Sequence, residues 1–514
     1  MTRSLSFVLA VLLASVTVSA PSAQTGVAPS LDVEPMSPTA REALGITSDA
    51  TAQAFAEAHQ SMMALRLDDA QGQFAALGRA EPGTPLGAYG LELVALARAL
   101  LTEDDDDFDR FFTLNDSLTT LAESREAAPG PLLSATARLH RAFAFARQER
   151  YARAGNTFRV ACGQYDNLDG PDAWFGQGIC ESAAGAVPRQ YRWLARLFGF
   201  SGSVSSGLSK LEAAAEAGGA FAVEAEMAFA VTDASLNERR AGSVDRMVAL
   251  AEQRPSLLAD YMAGNLLLLD RRAEEAATLL RRTESTRGDG VVPLPSIEAH
   301  LGMALFRLRD FEEAAERLES YTRSFRGDAM MAQSLLHAGI AYEMTGDRRR
   351  AEAMYRRVRA SRDYDADQAA EREAERRLDE PLTEAGRALV LGGAAYDAGQ
   401  YDEAVRLLQP VVTGRDLPAA QRAEAAYRTG RARQAQERWD DALRHFQLAI
   451  AAPGDPLARW GPWSVYHAGE VWELRGDLDQ AEDFYERVLE NEEEFDYHKS
   501  LEQRTRTALE RIRR

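Results

Sequence analysis

The sequence predicts an all-α solenoid of antiparallel helix pairs, and three observations carry that reading. Six glycines in the C-terminal half are each followed twelve residues later by an alanine: Gly264/Ala276, Gly302/Ala314, Gly339/Ala351, Gly392/Ala404, Gly430/Ala442 and Gly469/Ala481. The glycine-to-glycine intervals are 38, 37, 53, 38 and 39 residues. Apolar residues recur at helical spacing on both sides of each interval and break at a turn residue between them. Small residues let two helices approach closely, and a lone pair cannot bury its apolar face, so the pairs must stack.

The segment 388–410, "ALVLGGAAYDAGQYDEAVRLLQP", shows the plan of one unit. Gly399 suits the left-handed cap that ends the first helix, because it has no Cβ to clash. Tyr401 and Leu408 lie seven residues apart on one face of the second helix, with Ala404 between them. The turn recurs as Gly346-Asp347 and Gly476-Asp477, and Arg309-Asp310 takes its place in another copy. The second helix opens its core face with Phe311, Tyr401, Trp439 or Leu478, partnered seven residues on by Leu318, Leu408, Phe446 or Tyr485. Over 257–495 this pattern resembles the tetratricopeptide repeat. That resemblance implies a right-handed superhelix of about ten helix pairs, with a C-terminal capping helix at 499–514.

Upstream the same offsets persist with alanine in place of glycine. Ala58, Ala70, Phe74 and Pro82 form one copy, and Ala142, Tyr151, Ala154, Phe158 and Ala161 another. The segment 49–285 therefore reads as a divergent part of the solenoid, and 296–514 as its regular part, with 286–295 a loop between them. An irregular insert at 172–219 carries Pro188, the aromatic residues Tyr191, Trp193, Phe198 and Phe200, and then a Gly/Ser loop. Its layout looks like a segment of the eukaryotic inclusion-body-clearance family, which implies divergent tetratricopeptide architecture and carries over no activity. A second insert, 361–384, is mostly charged and reads as a solvated excursion.

The N-terminus has the pattern of an export signal over 1–23: Arg3, an apolar core and a small-residue cleavage region. The apolar core is shorter than the roughly 20 residues a spanning helix needs. The Pro/Ser/Thr-rich stretch 24–48 reads as a flexible linker. The expected location is periplasmic or extracellular, with no integral membrane segment after cleavage. A lipoprotein anchor is not expected, since Cys162 and Cys180 are the only cysteines. These two lie in adjacent helices at an offset that looks too large for a bridge, and they read as small buried side chains. The formal net charge of −20 disfavours nucleic acid and anionic membranes as partners.

No catalytic constellation emerges. The seven histidines are scattered, with none at metal-ligand spacing on one helix. Gly199–Ser203 lacks the last glycine of a nucleophile elbow. The run 104–107 reads as a helix cap rather than a calcium loop. No enzyme activity, cofactor or metal is expected. The reading is a non-catalytic scaffold or adaptor of the cell envelope that binds a protein or peptide. The alternative is a soluble receptor for a small ligand or glycan, with an aromatic pocket near Trp174, Tyr191 and Trp193. The tetratricopeptide resemblance places the binding face at offsets −3, +1 and +4 from each signature glycine. This nominates Tyr396, Tyr427, Arg431, Tyr466 and Glu470 as partner-binding residues; Tyr and Arg are favoured at binding hot spots. The lysine–asparagine clamp for chaperone C-termini is absent, since those positions hold Tyr261/Asn265, Ala299/Met303 and Leu336/Ile340.

Overall fold

In a computed structural model, residues 36–187, 202–236, 240–285, 291, 294–360, 365–452, 459–491 and 495–513 are described. The described residues form 25 helices and no strand. The signal-like segment, the aromatic residues Tyr191, Trp193, Phe198 and Phe200, and most of the 286–295 loop lie outside them. The chain divides into two compact units. One comprises the residues up to Asp270 together with Leu279–Leu294, the other Arg271–Thr278 with Pro295–Arg514.

The glycine beat has a direct geometric cause. Sixteen residues after each signature glycine, a large side chain of the second helix fills the space a Cβ would need. A Cβ on Gly302 would lie 2.7 Å from Leu318 Cγ, one on Gly430 2.6 Å from Phe446 Cδ1, and one on Gly469 2.8 Å from Tyr485 Cε1. Leu280, Tyr355 and Leu408 stand over Gly264, Gly339 and Gly392 in the same way. The six alanines of the beat are all fully buried. The turns between the helices use left-handed backbone at one fixed place. Gly346, Gly399 and Gly476 have φ of +91°, +78° and +82°, and Arg309 adopts +68° where the glycine is replaced.

The N-terminal helices keep the pairing with alanine in place of the signature glycine. Ala58, Ala70 and Phe74 are fully buried, and the Phe74 ring stands where a Cβ on Gly90 would be. The side chain of Asp104 accepts a hydrogen bond from Asp106 N and caps the Asp105–Glu123 helix.

Three expectations need correction. The proposed linker is structured in its second half: Pro38–Ala43 is a helix capped by Ser37, and Met36, Ala40, Leu44 and Ile46 are buried. Ser37 Oγ also donates to Gly218 O at 2.6 Å. Composition hid this, because the apolar residues are interspersed with Pro, Ser and Thr.

Second, Cys162 and Cys180 form a disulfide, with a Cα–Cα distance of 5.8 Å. The apparent offset vanishes because the two helices do not pair outward from their loop. Tyr165 sits against Gly176, and Gln177 Nε2 donates to Tyr165 O at 2.9 Å and Leu168 O at 3.1 Å. One turn back from Tyr165 is Cys162; one turn on from Gly176 is Cys180.

Third, the charged insert is not simply a solvated excursion. It contains the helix Asp365–Asp379, which buries Ala369, Ala370 and Ala374. Gln333 Nε2 donates to Ala366 O at 2.5 Å, and Arg348 Nη2 donates to Arg377 O and Leu378 O at 2.8 and 2.9 Å. Across the unit, Arg372 Nε donates to Asp496 Oδ1 at 2.7 Å and Ser500 Oγ to Asp365 Oδ2 at 2.7 Å. The insert therefore ties the Gly339 repeat to the C-terminal helix His498–Ile512.

Two outcomes follow from this packing. Gly430→Leu places side-chain atoms in the Phe446 ring, so urea denaturation should show a loss of about 1–3 kcal/mol by overpacking. Replacing both Cys162 and Cys180 by Ser opens a short loop, and should lower the stability of the unit that contains them by about 2–4 kcal/mol. Unfolding of that unit, followed by hydrogen exchange, checks the second.

Candidate partner-binding face

The three first helices that carry the nominated residues, Glu384–Asp397, Ala419–Ala435 and Trp460–Leu474, pack side by side. The structure draws four of the five nominated side chains into one network. Arg431 Nε donates to the Tyr396 hydroxyl at 3.3 Å, and Arg431 Nη1 donates to Gln434 Oε1 at 3.0 Å and Glu470 Oε2 at 3.4 Å. Gln434 Nε2 donates to the same Glu470 oxygen at 3.2 Å. His467 completes the group. Its Nδ1 lies 2.6 Å from Arg431 Nη1 and 2.5 Å from Glu470 Oε2, and its Nε2 lies 3.4 Å from the Tyr427 hydroxyl.

His467 went unnominated. It falls two residues before the signature Gly469, off the −3, +1 and +4 offsets, and only the tertiary packing turns it toward Arg431. Burial pushes its pKa down to about 4, and the neighbouring Arg431 adds to this while Glu470 opposes it. Burial alone would raise Glu470, yet His467 and Arg431 hold it below the usual carboxylate range. At neutral pH the group is thus a neutral imidazole beside a guanidinium–carboxylate pair.

Two of the three nominated tyrosines are buried, which corrects their place on a partner-binding surface. Tyr396 is 8% exposed and lies under the Arg271 guanidinium at 4.5 Å. Tyr466 is 2% exposed and belongs to the core with Tyr485, Val488 and Leu501, its ring edge-on to that of His467. Its ring is 5.5 Å from that of Tyr485, the side chain that covers Gly469. The −3 position therefore faces the second helix of its own repeat here, where an aromatic ring packs best. Tyr427 and Arg431 stay half-buried and keep an accessible edge, the Arg431 side chain at 21% exposure.

The +4 position splits by a rule that the sequence contains but does not announce. Where the residue over the glycine is tyrosine, its hydroxyl needs an acceptor when buried. Tyr355 donates to Glu343 Oε2 at 2.8 Å and Tyr485 to Glu473 Oε2 at 2.7 Å. Glu343 and Glu473 sit at +4, so they serve the core rather than a partner. Where that residue is phenylalanine, as Phe446 is, the +4 Gln434 remains free to join the Arg431 network.

Among the described residues, no group of three or more His, Cys, Asp or Glu is arranged to hold a metal. No helix among them is long and apolar enough to cross a membrane. Trp174 is 37% exposed, and its proposed pocket partners Tyr191 and Trp193 lie outside the described residues.

The network predicts a signed pH dependence. His467 titrates lower in the folded chain than its ordinary value of 6.5, so between pH 6.5 and about 4 the unfolded chain binds more protons. Stability is complete above pH 6.5 and falls as pH drops through that window, by roughly 3 kcal/mol at most. His300, His337 and His445, also lowered by burial, act in the same direction. Urea midpoints measured across this range should flatten in part in a His467→Gln variant.

No curated protein matches the sequence. Among solved structures, MamA of AMB-1 is 21% identical, covering 38% of this chain and 90% of its own, with a TM-score of 0.19. MamA 41-end from Desulfovibrio magneticus RS-1 is 20% identical, covering 38% and 93%, with a TM-score of 0.20. The P58(IPK) TPR domain is 13% identical, covering 90% and 97%, with a TM-score of 0.22. Values this low carry no function across. The tetratricopeptide-repeat family matches at residues 300–366 and 389–456, the stretches that hold four of the six glycine–alanine pairs. The chain carries tetratricopeptide repeats over 300–366 and 389–456, within a described fold that is all helical.

Proposed function

We propose that this protein is a non-catalytic scaffold of the cell envelope, which holds a protein partner on the face built by its regular repeats. Tetratricopeptide repeats are protein-interaction scaffolds, and stacked repeats generate extended binding surfaces. The observation that carries the reading is the Arg431 network. Its partly exposed members, Tyr427, Arg431 and Gln434, all lie on the Ala419–Ala435 helix, while Tyr396, His467 and Glu470 are buried behind them. Buried partners fix the orientation of Arg431 before anything binds, which lowers the ordering cost of association. Arginine and tyrosine held this way are the side chains that concentrate binding energy at interfaces. The envelope setting rests on the signal-like N-terminus.

A photo-reactive residue at position 434, incorporated in the native cells, should crosslink to a discrete protein, and Arg431→Ala should reduce the yield. Labelling of lipid or small molecules alone would overturn the scaffold reading. Fractionation should recover the chain outside the cytoplasm; recovery in the cytoplasm would remove the envelope setting and leave the scaffold standing.

A further inference from the structure

Beside the Arg431 network, the start of the Trp460–Leu474 helix gathers arginines against aromatic faces. The Arg459 guanidinium lies 4.6 Å from the Trp460 ring centroid and 4.7 Å from that of Tyr497. Arg428 lies over Trp460 as well, at 5.3 Å. One turn on, Arg504 lies 5.8 Å from the Trp463 ring. Tyr427 joins the cluster to the network, its ring centroid 5.3 Å from that of Trp460. All of these side chains are half-buried.

Among the described residues the charges here do not balance. Glu424 is taken by Arg428 at 2.7 Å, Glu470 by Arg431 at 3.4 Å, and Glu473 by Arg511 at 2.6 Å. Asp496 is taken by Arg372 at 2.7 Å. Arg459 and Arg504 have no carboxylate among the described residues. They are permanently charged. A guanidinium held over a ring keeps N–H groups that can match a carboxylate. A chain of formal charge −20 therefore presents a local cationic edge. Acidic segments are repelled by most of such a surface and drawn to the exception.

We propose that the Arg459–Trp460–Tyr497 stack and the Arg504–Trp463 pair form a docking edge for an acidic segment of a partner protein. This rests on the scaffold reading and names the chemistry of the partner. Two carboxylates of one segment would engage Arg459 and Arg504, and its intervening groups would lie along the exposed edges of Trp460 and Trp463. The edge extends outside the repeats proper, because Tyr497 and Arg504 come from the C-terminal segment that caps the last one.

The test uses the full chain and a fluorescently labelled short oligoglutamate peptide, followed by polarisation. Binding to the wild type should weaken as salt is added. In the Arg459→Ala/Arg504→Ala double variant it should weaken about tenfold, the scale of two lost charge-assisted contacts. The Arg459→Lys/Arg504→Lys variant keeps the charge and should recover only part of the loss, since lysine lacks the planar fork. Equal binding by wild type and the alanine variant would overturn the proposal. So would no binding to the wild type, or preference for a single-stranded oligonucleotide over the peptide. The scaffold reading fails separately: a crosslinked partner retained at full yield by the alanine variant sinks this edge alone, whereas the absence of any crosslinked protein sinks the scaffold.

Discussion

The close approach of two helices over a missing Cβ sets the geometry of every regular repeat. At each signature glycine the first helix touches a Leu, Phe or Tyr of the second, sixteen residues on, at a distance that leaves no room for a methyl group. Interiors are packed to crystal-like density, so this gap cannot be opened by a small shift without cost elsewhere. The contact fixes the separation within a pair, and the buried alanine of the second helix keeps that face flat enough for the pair to close. Positions beyond this seam are free to vary, and the inserts and the polar network occur there.

The same seam decides which polar residues remain available. A tyrosine over the glycine brings a hydroxyl into the core and recruits the glutamate at +4, as Tyr355 does with Glu343 and Tyr485 with Glu473. A phenylalanine makes no such demand. In the Gly430 repeat, covered by Phe446, the first helix can therefore present Tyr427, Arg431 and Gln434 together. The candidate surface lies where core chemistry does not use its polar groups. Arg431 is then oriented by a ring of buried partners from the two flanking helices, and its charge is balanced by Glu470 in a setting that keeps His467 neutral.

Much of the fold was legible in the sequence, and the candidate site was legible in part. The glycine–alanine beat reports contacts within one hairpin, where sequence distance and spatial distance are tied by helix geometry. Tyr427 and Arg431 could be nominated because their offsets from Gly430 follow from that hairpin. Tyr466 shows the limit: the same offset carried it into the core beside Tyr485, since a ring at that place packs better in than out. The disulfide was missed for a related reason. The distance between Cys162 and Cys180 depends on where Tyr165 meets Gly176, and no local pattern states that register. The helix Asp365–Asp379 reads as charged and solvated until Arg372 and Asp365 are seen against Asp496 and Ser500, more than a hundred residues away in the chain.

By itself the sequence determined the repeat: a small residue where two helices must touch, a turn residue between them, and an apolar stripe to stack on the next copy. These are short-range requirements, and each is met by a residue type at a set spacing. The tertiary structure alone decided which side chains share a neighbourhood across repeats. It brought His467 to Arg431, closed the cysteine bridge, and seated Arg459 between Trp460 and Tyr497. The reason is physical. Contacts between repeats depend on summed packing over many helices, and a small change in any one would carry these groups out of reach.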